Sequence, residues 1–223
     1  MIPKDLTRKL NEGRQYRDID VSRFERRSEE SGQKTVEGYA TVFDQPYELC
    51  RMNFDGVIYI VNEQVDSRAF EGCDMSDVIM QYNHEGRVFA RTSNGTLEVA
   101  PDGTGLHIRA QLGGTALGCQ VYEEIDGGYT TKMSFGFTVG ADRRDRTEER
   151  DEETGVTIIT VLRTITRISK LYDVSAVSLP ANDATSISAR SFVDGVIEEL
   201  KQERLAAEKR ERQKKAIRVL CAL

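Results

Sequence analysis

Residues 129–139, Tyr-Thr-Thr-Lys-Met-Ser-Phe-Gly-Phe-Thr-Val, carry the clearest strand pattern in the chain. A strand turns successive side chains to opposite faces, so Met133, Phe135, Phe137 and Val139 make one row suited to burial. Ser134, Gly136 and Thr138 then face the other way. Gly136 brings no side chain to that face, which leaves space beside Ser134 for the backbone of a substrate strand. The Ser134 hydroxyl has two readings, a nucleophile or an ordinary serine on the polar side of a half-buried strand. The first requires a base and an orienting group from elsewhere in the chain.

A chain of 223 residues is long enough for one domain with a sizeable core and some appendages. No apolar run reaches the length of a membrane span, and the opening Met-Ile-Pro-Lys-Asp lacks the apolar centre of a signal peptide, so a cytoplasmic location is expected. Cys50, Cys73, Cys119 and Cys221 are widely separated and have no histidine pair beside them; no metal site and no cofactor are expected. Only His84 and His107 can serve as an imidazole base near neutral pH.

The net charge of −6 is unevenly spread. Residues 201–223 hold eight Lys and Arg against three Glu, a charge of +5 that leaves −11 on residues 1–200. No aromatic residue interrupts the basic ones, so a solvated or partner-docking helix is expected there in preference to nucleic-acid binding.

Residues 1–34 read as a polar flexible arm with a short strand near 19–24. Alternating strand signals follow at 35–43, 57–61, 88–91, 96–100 and 106–112, and an apolar run through Met80 leads to His84 at a strand end. In 106–112 the apolar residues share one face, which puts His107 on the other, as a surface histidine. Residues 115–126 have helical spacing and stop at Gly127-Gly128. Between Asp142 and Glu153 every residue except Thr147 is charged, and residues 141–155 read as a charged loop or solvated hairpin tip. Strands at 156–161, 164–168 and 171–179 follow. From 191 the pattern turns helical, with Phe192, Val196, Ile197 and Leu200 on one face.

His84 at a strand end, Ser134 on a strand face and Asp173 in a late strand supply the residue types of a serine hydrolase, although spacing alone does not select them. In their contexts they resemble the prohead, or capsid maturation, serine proteases of tailed bacteriophages, relatives of the herpesvirus assemblins. The likeness is carried in order by Glu-Gly-Tyr-Ala-Thr-Val-Phe at 37–43, Arg-Ala-Phe at 68–70, Tyr-Asn-His-Glu at 82–85, Gly-Leu-His-Ile at 105–108, Lys-Met-Ser-Phe-Gly-Phe at 132–137, and Leu-Tyr-Asp-Val-Ser-Ala-Val-Ser-Leu-Pro-Ala-Asn at 171–182.

The resemblance implies Ser134 as nucleophile, His84 as base and Asp173 as the acidic third member, where many relatives carry Glu and assemblins a second histidine. It also implies backbone amides of Ala181 or Asn182 for the oxyanion hole. The expected architecture is α+β and mainly β: a mostly antiparallel, assemblin-like β-barrel with surrounding helices. Its expected divisions are an arm over 1–34, a catalytic domain over 35–190 and a basic helical tail over 191–223. The implied activity is a serine endopeptidase, without metal or cofactor, that processes scaffold or capsid-protein segments, and its own tail, inside the assembling procapsid in the bacterial host. The alternative is an inactive protease-like scaffold or assembly protein. Homodimerisation is an expectation by analogy with assemblins; nucleic-acid and membrane partners are not expected.

Overall fold

The computed structural model describes residues 13–19, 25–28, 34–177 and 187–220. These residues are mainly strand: β1 (Gln15–Ile19), β2 (Glu25–Ser28), β3 (Lys34–Val42), β4 (Tyr47–Phe54), β5 (Val57–Val65), β6 (Ile79–Tyr82), β7 (Glu85–Arg91), β8 (Leu97–Pro101), β9 (Gly105–Gln111), β10 (Lys132–Arg150) and β11 (Thr157–Val177). Two α-helices accompany them, α1 (Ala116–Asp126) and α2 (Ile187–Leu220). Thr115 caps α1, its hydroxyl accepting from the Gly118 amide at 3.0 Å.

The strands form two sheets, and the expected barrel does not close among the described residues. The larger sheet runs β1-β10-β11-β5-β4, with β6 and β7 attached through β11; the smaller runs β2-β3-β9-β8. The reason lies in the 21-residue β11. One edge of β11 pairs antiparallel with β10, while the other pairs in parallel first with β5, opposite 157–165, and then with β6, opposite 173–176. The larger sheet branches there, and among the described residues none of its named strands forms a ladder with the smaller sheet. Antiparallel and parallel pairing are therefore mixed.

The apolar row of β10 is buried as its alternation requires, with Met133, Phe135 and Phe137 at 0% exposure. It meets Ile108 and Ala110 from β9, Val36 and Ala40 from β3, and Val121 and Ile125 from α1 in one core between the sheets. A second core forms where Phe192, Val193, Val196, Ile197 and Leu200 of α2 cover Tyr59, Val61, Ile159 and Val161. The helical face expected from 192–200 is thus the face that packs.

Two expectations need correction. The charged residues 141–150 are not a loop; they extend β10 antiparallel to residues 157–167 of β11, and the chain turns only at 151–156. The charges from Asp145 onward stay in water while the backbone pairs, and the covered Asp142 is met by Arg163, so charge density did not exclude a strand. The N-terminal arm is also not wholly loose: β1 pairs with β10, and its Gln15 and Arg17 are 1% exposed. The strand expected near 19–24 falls largely on residues 20–24, outside the described residues.

Candidate active site

β10 and β11 place four small or acidic residues on one face of the larger sheet. Ser134 lies opposite Ser175, and Gly136 opposite Asp173. The alternate residues of both strands, Met133, Phe135, Val174 and Ala176, enter the core behind them. Core burial on one side thereby fixes the orientation of the polar set on the other.

His84 reaches this face from the far edge of β11. β6 runs in parallel to β11 and turns into β7 through Asn83 and His84, with Tyr82 paired to Glu85. Both turn residues have positive φ, 50° for Asn83 and 60° for His84. A two-residue hairpin of this kind needs positive φ at both positions, and Asn and His are among the non-glycine residues that tolerate it best. The Asn83 amide donates to the Ala176 carbonyl at 2.9 Å, which ties the turn to β11.

The result is a continuous polar chain. His84 Nε2 lies 2.5 Å from Ser134 Oγ, and His84 Nδ1 bonds Asp173 Oδ2. Ser175 Oγ donates to the same Asp173 oxygen at 2.8 Å, while Arg14 Nη2 pairs with Oδ1. Burial by itself would raise the Asp173 carboxyl, but His84 and then Arg14 outweigh it and hold the group below the usual carboxylate range. Asp173 is accordingly an ionised acceptor near neutral pH, suited to fixing the Nδ1–H tautomer of His84 and stabilising its charged form.

Gly136 serves this arrangement differently from the expectation. A β-carbon there would overlap Asp173 Oδ1 and would also crowd Arg14 Nε and the Tyr16 ring. The slot beside it is filled by β1, with Tyr16 opposite Gly136. The Tyr16 ring lies 4.3 Å from the His84 ring, centroid to centroid, and Ser134 is fully buried rather than facing an open slot.

His107 lies apart from this set, edge-on to Tyr39 at 5.3 Å and 3.9 Å from Glu37. Ala181 and Asn182 fall outside the described residues. Arg14, Tyr16 and Ser175 were not among the candidates. Ser175 stands within the Asp-Val-Ser motif and was legible as its i+2 partner on one strand face; nothing in the polar run around Arg14 and Tyr16 signals a strand. Among the described residues no group of His, Cys, Asp and Glu could hold a metal ion. None of the helices described is long and apolar enough to cross a membrane.

A serine bonded to a histidine that is bonded to a buried carboxylate is the arrangement of serine hydrolases. The chain belongs to the caudovirus prohead serine protease family, which matches residues 22–200. Membership implies serine peptidase activity in phage capsid maturation, within the procapsid and in the company of phage capsid proteins. No curated protein and no solved structure matches the chain.

Proposed function

We propose that the chain is an endopeptidase that cleaves scaffold, or scaffolding segments of the capsid protein, through an acyl-enzyme on Ser134. The observation that carries this reading is the unbroken contact from Ser134 Oγ through His84 to Asp173. His84 Nε2 takes the hydroxyl proton as Oγ attacks the scissile carbonyl carbon, and returns it to the departing amine. Water then attacks the ester, with His84 again as base, and leaves a free carboxylate and Ser134 restored. Asp173 remains ionised throughout; Ser175 donates to Oδ2 beside His84, and Arg14 occupies Oδ1 while β1 is in place. Backbone amides of Ala181 or Asn182 are proposed to receive the oxyanion. The substrate is a phage capsid or scaffold protein, and the chain's own tail is a further substrate.

Intact-mass analysis of the wild-type chain and Ser134→Ala, each produced with the neighbouring capsid and scaffold proteins, tests this. Discrete fragments are expected with wild type only. Identical intact masses in both preparations would sink the peptidase reading in favour of an assembly role.

A further inference from the structure

β1 is placed against the candidate site as a substrate strand would be. It runs antiparallel to β10, with Gln15 opposite Phe137, Tyr16 opposite Gly136 and Arg17 opposite Phe135. The Ser134 hydroxyl donates to the backbone carbonyl of Arg17 at 3.0 Å. An extended peptide added to a sheet edge gains its main-chain bonds there, and side-chain pockets then set specificity.

The Arg17 side chain has such a pocket. It is buried, and its fork meets one carboxylate with two donors: Nε to Glu63 Oε1 at 2.5 Å and Nη2 to Glu63 Oε2 at 3.1 Å. Glu63 is held from behind by Tyr47 Oη at 2.6 Å and by Arg163 Nη1 at 2.6 Å. Arg163 lies directly opposite Glu63 in the β11–β5 pair and also donates to Asp142 at 2.7 Å. Burial would raise the Glu63 carboxyl, yet Arg17 and Arg163 bring it down to about 2, so it is an anion.

We infer that β1 is a substrate held in cis, cut between Arg17 and Asp18, and that Glu63 selects arginine as the residue that contributes the scissile carbonyl. This rests on the peptidase reading above. A planar, two-donor fit favours arginine over lysine, which offers a single point charge. The hydroxyl proton serves one acceptor at a time. When it turns from the Arg17 carbonyl to His84 Nε2, Oγ is free to attack the Arg17 carbonyl carbon. The Arg17–Asp18 bond breaks as His84 protonates the Asp18 amine, and water releases Arg17 as a carboxylate. Removal of residues 1–17 then vacates the β10 edge opposite 135–137 for other chains and takes Arg14 off Asp173, whose Oδ2 keeps His84 and Ser175.

The test combines intact mass and N-terminal sequencing of the full chain with a peptide panel. Wild type should accumulate a species beginning at Asp18, and Ser134→Ala and Arg17→Leu should not. On quenched-fluorescence peptides spanning 14–19, the trimmed enzyme should prefer Arg at position 17 over Leu by about 100-fold or more in kcat/KM. Glu63→Gln should erase most of that preference. The wild-type peptide series decides the matter even should that variant fold poorly. Trimming of the capsid protein without an Asp18 terminus and without preference for Arg overturns this inference and leaves the peptidase reading standing. Failure to cleave capsid protein, peptides or itself overturns both.

Discussion

Asp173 receives Arg14 on one oxygen and His84 with Ser175 on the other, and its carboxylate fits because position 136 carries no side chain. Gly136→Ala should therefore push the carboxylate off His84. We expect kcat to fall on the order of 100-fold or more, with KM little changed and a stability cost of about 1–3 kcal/mol from overpacking. Steady-state kinetics with a denaturation curve separates the two effects. Asp173→Asn keeps the shape but presents an amide where the imidazole needs an acceptor, and kcat should drop by about 10⁴-fold. Because Asp173 is held below the usual carboxylate range, it stays charged as pH falls toward mild acid. The acid limb of kcat/KM in wild type should then follow protonation of a single group, the His84 imidazole; a limb steep enough to require two protons would contradict this.

Among the elements, α2 divides into two parts. Between Phe192 and Leu200 it buries one face, and Phe192, at 0% exposure, lies under the Arg163 guanidinium at 4.0 Å. Phe192→Ala should cost about 3–5 kcal/mol and loosen the wall of the Glu63 pocket, which urea unfolding would show. Residues 201–215 are mostly exposed, tied down by Arg146 to Glu203 at 2.9 Å and by Lys201 over the Phe54 ring at 3.8 Å. Exposed pairs contribute little. Truncation after Leu200 should shift Tm by less than about 4 °C, a measurement for differential scanning calorimetry. The apolar face of α2 and the strand of Ser134 were both readable from periodicity, since each buries one regular row. β1 was not, because its buried side chains, Gln15 and Arg17, are polar and meet partners on other strands rather than forming an apolar row.

For the molecule as a whole, Arg17, Glu63, Arg163 and Asp142 form a buried ionic cluster that joins β1, β5, β10 and β11. The Glu63 carboxyl lies near 2, against an ordinary 4.5, so its contribution is complete above that ordinary value and is lost as pH falls toward 2. That contribution is about 3 kcal/mol. Chemical denaturation at successive pH values should show wild type losing stability over this window and Glu63→Gln losing much less. A clue to the cluster stood in the sequence: Val57, Tyr59, Val61, Glu63 and Val65 alternate onto one buried face, and a carboxylate in that row needs a partner. The partners themselves were not legible, because Arg17 and Arg163 lie 46 and 100 residues away. By itself the sequence determined the row that orients Ser134, the helical face of 192–200 and the motif order that implied His84, Ser134 and Asp173. Those are local patterns, governed by the two-residue period of a strand and the turn of a helix. Only the tertiary structure decided that the sheet branches at β11 instead of closing, that Gly136 makes room for Asp173, and that β1 lies over Ser134. Each of these depends on which strand edges meet across long sequence separation, and side-chain periodicity carries no record of that pairing.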